Sequence, residues 1–343
     1  MPLSDSCVFQ NHRRWKDFVA CFSVFALIYC FFCNFSHYKM KRAPFLLVVL
    51  AGMFGLHACS NQSSNEGSQG NAQGILSGSA ELLCDETVFP IIEDEANVFK
   101  GVYRNTGLDI VSMPEMEVIN GLRRGDAQLA VITRELTTTE DSMFRARKIT
   151  PRVSSFATDA LAIVTSKANP DSMLTDTDVI DMVKGKRQGK ILVFDHKNSS
   201  ALRYFMELAG IDSINNREGV YAVNGTLELL KYVEGHKNAY GVMGLNWLYQ
   251  PSDEMRTVME NVQVVGLKQA SKDSTVYYKP SQSNLALNLY PFKRKLYLVN
   301  VQGKNAVGMG FAAFLYDERG QKVVLKSGLL PDSIPSRELI IRN

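Results

Sequence analysis

Cysteine and histidine are scarce over most of this 343-residue chain. Four of the six cysteines lie in the first 58 residues, and after that point only Cys59, Cys84, His196 and His236 remain. The sequence contains no HExxH motif, no GxSxG motif and no Cys/His cluster with zinc spacing. These absences argue against zinc-dependent and serine-dependent hydrolases. We therefore expect no enzymatic activity, no metal site and no cofactor.

A basic surface is also missing once the N-terminal segment is set aside. Residues 1–58 carry six of the 38 Lys/Arg but only two of the 35 Asp/Glu, so the remainder is close to neutral. Nucleic-acid-binding domains need a concentrated basic patch for the phosphate backbone. We therefore expect no nucleic-acid partner.

The N-terminal segment has the features of a secretory signal. Met40-Lys41-Arg42 precedes an apolar run over 45–56, and Leu56-His57-Ala58-Cys59 follows it. This end resembles the lipoprotein box of bacteria, which implies a signal peptide over 40–58 and a diacylated Cys59 that anchors the protein to a membrane. Residues 59–78 are rich in Ser, Gly, Asn and Gln, which is typical of a flexible tether.

The first 39 residues have two possible explanations. Translation starts at Met40 and residues 1–39 are not part of the protein, or the apolar run over 18–35 spans a membrane. We favour the first, because the signal that begins at Met40 is complete by itself.

Beyond the tether, short apolar runs alternate with amphipathic segments, which is typical of an α/β fold with mostly parallel sheets. Strands are predicted at 81–84, 108–113, 128–132, 160–164, 191–194, 240–243, 262–266 and 297–301. Helices are predicted at 89–105, 114–124, 175–183, 201–208, 226–234 and 311–326. Ligands of such folds gather at the carboxyl ends of the strands.

The stretch from Lys190 to Gly210 shows the pattern most clearly. A predicted strand is followed by the polar loop Asp195–Ser200 and then by a helix whose first N–H groups face the loop. Together with the hydroxyls of Ser199 and Ser200, these N–H groups are predicted to form an anion-binding site. The plainer interpretation is that Asn198 or Ser199 only caps the helix.

Four segments together resemble the phosphate-binding, PstS-like periplasmic solute-binding proteins of ABC importers. They are DAQLAVITREL from Asp126, FDHKNSSALRYF from Phe194, YPFKRKLYLVN from Tyr290 and ERGQKVVLKSGLLP from Glu318. The resemblance implies a two-lobed, type II periplasmic-binding-protein fold with mixed, mostly parallel sheets and crossover strands. One lobe would comprise 79–163 plus 295–343, and the other 164–294.

The resemblance also implies a function and a site. The function is capture of an oxyanion, most simply phosphate, in the interlobe cleft of an envelope or periplasmic protein that serves an ABC permease. The implied ligand-binding residues are Glu86, Thr87, Thr133, Arg134, Asn198, Ser199 and Ser200. Of these, Arg134 is expected to supply the fixed positive charge, because a guanidinium matches an oxyanion with two parallel hydrogen bonds. The alternative for Arg134 is an exposed ion pair with Glu135 or Asp126.

The site departs from the family pattern in its charge. Asp85 and Glu86 stand where the family has neutral Thr or Ser, and Ala201 lacks the hydroxyl of the expected Thr. Asp195 lies near the position of an expected Arg. A carboxylate accepts the proton of a protonated oxyanion but repels a fully ionised one. Phosphate remains the first candidate, and the acidic first loop keeps open an alternative function, a non-transporting accessory, sensor or scaffold lipoprotein that keeps the fold.

Overall fold

The computed structural model describes residues 74–333 except 216, 274, 304 and 305. The described residues belong to one compact unit, Gln69–Asn343. The predicted signal over 40–58, the lipidated Cys59, most of the tether and the segment 1–39 lie outside the described residues. Within those that are described, no helix is both long enough and apolar enough to cross a membrane.

Strands and helices alternate, as the sequence predicts. The strands are β1 Gly78–Asp85, β2 Thr106–Met113, β3 Leu129–Ile132, β4 Arg152–Ser166, β5 Met173–Thr175, β6 Ile191–Phe194, β7 Val220–Ala222, β8 Ala239–Gly244, β9 Val262–Val264, β10 Gly266–Lys268, β11 Lys293–Asn300 and β12 Leu330–Pro331. The helices are α1 Phe89–Val102, α2 Glu115–Arg124, α3 Thr138–Ala146, α4 Asp176–Val183, α5 Ser200–Ala209, α6 Thr226–Gly235, α7 Leu245–Tyr249, α8 Asp253–Met259, α9 Gln282–Ala286, α10 Val307–Tyr316 and α11 Glu318–Lys326. A 3₁₀ helix, Glu86–Val88, follows β1.

Most of the strands form one curled sheet in the order β2-β1-β3-β11-β4-β8-β6-β7, with β9 and β12 also paired to β4. The pairs β1/β2, β1/β3, β6/β7 and β6/β8 are parallel. Only β10 and β5 stand apart, as a separate parallel pair. The predicted α/β fold with mostly parallel strands is confirmed.

Two antiparallel strands, β4 and β11, connect the two groups of parallel strands. The first part of β4 pairs with β11 from Arg152 to Ala160, and its last part pairs with β8 from Leu161 to Thr165. The lobe boundaries that the resemblance implies, at 163/164 and 294/295, fall within these two strands. The exact division into two lobes at these boundaries stays a prediction.

Two predicted elements are each divided into two in the structure. The single helix predicted over 311–326 is wrong, because α10 and α11 are separated by Asp317, whose ψ of 161° is extended. Gly320 lets α11 pack tightly on the end of α10, since a Cβ there would stand 2.3 Å from the carbonyl oxygen of Phe314. The strand predicted over 262–266 is divided at Val265 into β9 and β10, which pair with different strands.

Helix α3 was not predicted, although the sequence carries its signal. Thr137 accepts a hydrogen bond from the backbone N–H of Glu140, and the Glu140 side chain accepts one from the backbone of Thr137. This reciprocal capping box is readable as a Thr followed three residues later by a Glu. Helix α3 is important for the site, because Glu140 contacts one of the predicted ligand residues.

Candidate functional site

Two of the loops that the sequence selects are brought into direct contact. Thr87 lies in the 3₁₀ helix at the carboxyl end of β1, and Ser200 begins α5 just after the loop that follows β6. Their hydroxyl oxygens are 3.0 Å apart, and both residues are completely buried. Hydroxyls from two different groups of parallel strands therefore meet at one point.

The positive charge at this point comes from Arg294, a residue that the sequence analysis missed. Its Nη1 donates to Ser200 Oγ at 2.8 Å, and its Nη2 donates to Thr87 Oγ1 at 2.8 Å. Its Nε and Nη2 both donate to Asp159 Oδ2, at 3.0 and 2.9 Å. The Arg294 side chain is only 2% exposed, so this is a buried ion pair that links the two hydroxyls.

The position of Arg294 follows from the strand register. Arg294 on β11 is the cross-strand partner of Asp159 on β4, so their side chains leave the sheet side by side. Buried and exposed residues alternate over 292–296, at the start of β11, and Arg294 lies between Phe292 and Leu296 on the buried face. This alternation is the signal that could have found Arg294. Asp159 accepts both hydrogen bonds from the guanidinium with the same oxygen, Oδ2.

Asp85 organises the first loop. Its Oδ1 accepts from the backbone N–H and from the hydroxyl of Thr87, both at 3.0 Å, and this caps the 3₁₀ helix. Its Oδ2 is buried and has no hydrogen-bond partner among the described residues. A buried carboxylate oxygen without a donor is unusual in a native structure and needs a physical explanation.

Two further carboxyl groups at the site share this property. Glu86 Oε1 and Asp195 Oδ2 are buried, and neither has a partner in the described part of the chain. Burial raises the pKa of Glu86 to about 8, and the nearby charges of Asp195, Asp85 and Glu117 act in the same direction. Burial also raises the pKa of Asp195 to about 6, although a hydrogen bond from Ser199 opposes the change. At neutral pH we therefore expect Glu86 to be mainly protonated and Asp195 mainly ionised.

The loop before α5 supplies the N-cap of the helix and leaves some of its first backbone N–H groups without an acceptor. Ser199 Oγ accepts from the backbone N–H of Leu202 at 3.2 Å, so the plainer interpretation of Ser199 as a cap is confirmed. Asn198 donates its backbone N–H to His196 Nδ1 and accepts from the backbone N–H of Met116 at its carbonyl. The other N–H groups of the first turn, those of Ser200 and Ala201, have no acceptor within the helix.

Arg134 takes part in a different network from Thr87 and Ser200. Its two terminal nitrogens donate to the two carboxylate oxygens of Glu140, both at 2.8 Å, and Nη1 also donates to the carbonyl of Glu135. The hydrogen bond to Glu140 raises the pKa of Arg134. Glu115 lies 3.6 Å from Arg134 Nε and accepts from Arg203 at 2.6 Å. The carboxylates that neutralise Arg134 are thus Glu140 and Glu115, and the role of Arg134 as a ligand residue stays a prediction.

Thr133 belongs to the same network as Arg134. Arg203 Nη2, from helix α5, donates to Thr133 Oγ1 at 3.2 Å. This bond and the Arg203–Glu115 pair connect the second and third predicted loops at the edge of the site. Among the described residues, no group of three or more His, Cys, Asp or Glu side chains is arranged to hold a metal ion.

Comparisons with known proteins agree with this architecture. A family model described as the PBP superfamily domain matches residues 68–319. A structure assigned as a phosphate ABC transporter substrate-binding protein from Clostridium perfringens, with bound phosphate, is 20% identical, covers 75% of this chain and 100% of its own, and has a TM-score of 0.62. An ABC-type phosphate transport receptor from Vibrio cholerae is 19% identical, with coverages of 74% and 100% and a TM-score of 0.56.

A third structure shows that this fold is not restricted to phosphate. A Corynebacterium glutamicum OxyR mutant with bound hydrogen peroxide is 13% identical, covers 74% of this chain and 68% of its own, and has a TM-score of 0.51. No curated protein matches the chain. The predicted resemblance to phosphate-binding proteins is confirmed for the fold, and the ligand has to be argued from the residues of this chain.

Proposed function

This chain belongs to the PBP superfamily, and we propose that it is a lipid-anchored solute-binding protein of the cell envelope. Its ligand would be an oxyanion, with phosphate as the first candidate, bound at the contact between Thr87, Ser200 and Arg294. An ABC permease would receive the ligand from it. Binding rather than catalysis is the activity that this family supports.

The observation that carries the proposal is the guanidinium of Arg294. It is buried and it already donates to the hydroxyls of the two loops that the sequence selects for an anion. A bound oxyanion would receive the hydroxyl protons that Thr87 now gives to Asp85 and that Thr87 and Ser200 share, and the first turn of α5 adds N–H groups and the positive end of a helix dipole. Together these groups provide the charge and the donors that a tetrahedral oxyanion needs.

The unpaired carboxyl groups determine which oxyanion fits. An ionised Asp85 or Asp195 beside a bare oxyanion is repulsive, but it accepts a hydrogen bond from an oxyanion that carries a proton. Phosphate carries at least one proton at neutral pH, and sulfate carries none. The site therefore favours protonated oxyanions.

We expect phosphate to bind at least about tenfold more tightly than sulfate, a difference of ~1.4 kcal/mol, because only phosphate can donate to these carboxylates. Phosphate affinity should fall between pH 7 and pH 9 as the Glu86 carboxyl, with its pKa of about 8, becomes charged. In Glu86→Gln the decrease in phosphate affinity that comes from ionisation of Glu86 should be absent. Titration calorimetry of both proteins across this pH range tests the idea. Equal affinity for sulfate and phosphate would contradict it.

A second function is favoured by one feature of the same site. Thr87 and Ser200 are already joined to each other and to Arg294, so the groups that would hold an anion are satisfied without one. A protein in which this network is permanent would be an accessory or scaffold lipoprotein that keeps the fold. Absence of any oxyanion binding in the calorimetric titration would support this second function over the first.

The lipid anchor is a separate proposal and rests on the LHAC sequence that ends at Cys59. In Cys59→Ala, incorporation of labelled fatty acid should be lost and the precursor should keep its signal peptide, because the thiol is the only acylation site of this motif. Cys84→Ala is the matched control, since Cys84 is buried in the core and should not affect labelling. Labelling that persists in Cys59→Ala would overturn the anchor.

A further inference from the structure

The charges at the site do not balance. Arg294 is the only cation hydrogen-bonded to the hydroxyls of Thr87 and Ser200 in the described part of the chain, and Asp159 already neutralises it. Asp85, Asp195 and the mainly protonated Glu86 remain, each with a buried carboxyl oxygen that accepts no hydrogen bond from a described residue. Two of these side chains are essentially unexposed, Asp85 at 0% and Asp195 at 1%.

These carboxyl groups are neighbours in space. Asp85 Oδ1 accepts from the Thr87 hydroxyl, which lies 3.0 Å from Ser200 Oγ, and Asp195 accepts from Ser199, the residue before Ser200. Each of the three comes at the carboxyl end of a strand, β1 or β6, and these ends converge where Thr87 contacts Ser200. A simple anion brought to this place would add to a negative charge that is already unbalanced.

Asn246 is a second, independent sign of a ligand. Its side chain is completely buried, and neither its amide nitrogen nor its amide oxygen has a partner among the described residues. It lies against the first loop, because a Cβ on Gly244 would be 2.8 Å from Asn246 Oδ1 and 2.3 Å from the carbonyl oxygen of Thr87. Trp247, the next residue, donates its indole N–H to the carbonyl of Glu86. A free amide in this position offers both a donor and an acceptor to a bound molecule.

We propose that the ligand carries a protonated amine as well as an oxyanion, in the manner of a small aminoalkyl phosphonate or amino phosphate ester. Arg294, Thr87, Ser200 and the first turn of α5 receive the oxyanion. Asp85 and Asp195 receive the ammonium group, and Asn246 completes its hydrogen bonds. This inference rests on the proposed function, because it names the class of solute that the same site takes.

A protonated amine on the ligand would compensate the carboxylates that phosphate alone leaves without a counter-ion. An ammonium group has three donors and no acceptor, so it matches carboxylate oxygens that lack donors. A charge-assisted hydrogen bond in a buried site is shorter and stronger than a neutral one. The ligand is then nearly neutral overall, and it supplies a counter-ion to each part of the site.

The decisive experiment compares two ligands that differ only in the amine. Calorimetric titrations at pH 7 use 2-aminoethylphosphonate and ethylphosphonate, with inorganic phosphate as a third ligand. We expect 2-aminoethylphosphonate to bind at least about tenfold more tightly than ethylphosphonate, because only the amine pairs with Asp85 and Asp195. In Asp195→Asn this advantage should fall to about threefold or less, while ethylphosphonate should bind at least as well as before.

The control variant is Asp171→Asn. Asp171 lies in the loop between β4 and β5, and its side chain is 62% exposed and pairs with Lys190, so its replacement should leave the tenfold ratio unchanged. Thermal unfolding of each variant establishes that it is folded. The ligand comparison in the unaltered protein does not depend on any variant.

The outcomes separate this inference from the proposed function. Tighter binding of the amino ligand that is lost in Asp195→Asn supports both. Equal binding of 2-aminoethylphosphonate and ethylphosphonate overturns the inference and leaves oxyanion binding intact. Binding of none of the three ligands overturns the proposed function and the inference together.

Discussion

Replacing Arg294 with methionine is expected to lower the free energy of unfolding by about 3–5 kcal/mol. The side chain of Asp159 has no exposed surface, and Arg294 is the cation that pairs with it at 2.9 Å. Methionine fills a similar volume but leaves the Asp159 carboxylate buried without a counter-ion. Chemical denaturation of the two proteins at pH 7 measures the difference.

A double variant separates the lost ion pair from lost packing. Arg294→Met combined with Asp159→Asn should be more stable than Arg294→Met alone, because the uncompensated charge is then absent. Lys295→Met is the matched control on the same strand, since Lys295 points outward and forms a partly exposed pair with Asp332 at 2.6 Å. That change should cost less than ~1 kcal/mol. Equal losses of unfolding free energy in Arg294→Met and Lys295→Met would mean that the buried ion pair stabilises the fold no more than an exposed one.

Local sequence signals predict part of the site correctly. Strand β6 has the predicted bounds and α5 begins one residue earlier than expected, because a short apolar run, a polar loop and helical spacing are local signals. The contact between Thr87 and Ser200 also follows from a general rule, that loops at the carboxyl ends of parallel strands meet. These parts of the site could be predicted.

Arg294 could not be assigned from local signals alone. It lies 135 residues from Asp159 and 207 residues from Thr87 in the sequence. Its alternation with Phe292 and Leu296 shows that it faces inward, but the partner depends on the pairing of β11 with β4. For Arg134 the position was predicted correctly, but its ion-pair partner was not. It follows β3 at the expected place, and its guanidinium is paired with Glu140 of a helix that was not predicted.

A second large effect, on the pH dependence of the free energy of unfolding, is expected from a buried carboxyl group outside the site. Glu95 lies on α1 with no exposed surface, and neither of its carboxyl oxygens has a hydrogen-bond partner within the described residues. Burial raises the pKa of Glu95 to about 9, and the neighbouring Asp94 acts in the same direction. The folded protein therefore holds a proton on Glu95 at pH values where the unfolded chain has released it.

The direction of the pH effect follows from this difference. Below about pH 4.5 the carboxyl is protonated in both states, and Glu95 has no effect on the pH dependence of stability. From there to about pH 9 the unfolded state binds fewer protons, so stability falls as the pH rises. At ~1.4 kcal/mol for each pH unit, the loss amounts to about 3 kcal/mol at pH 7.

Glu95→Gln should remove this loss, because an amide of nearly the same shape does not ionise. We expect its free energy of unfolding to be close to that of the unaltered protein near pH 5 and to exceed it increasingly at pH 7 and pH 9. Urea denaturation at the three pH values measures the gap. Glu93→Gln, an exposed position on the same helix, is the control and should show no growing gap. A constant difference between Glu95→Gln and the unaltered protein at all three pH values would show that Glu95 is not held in its protonated form by the fold.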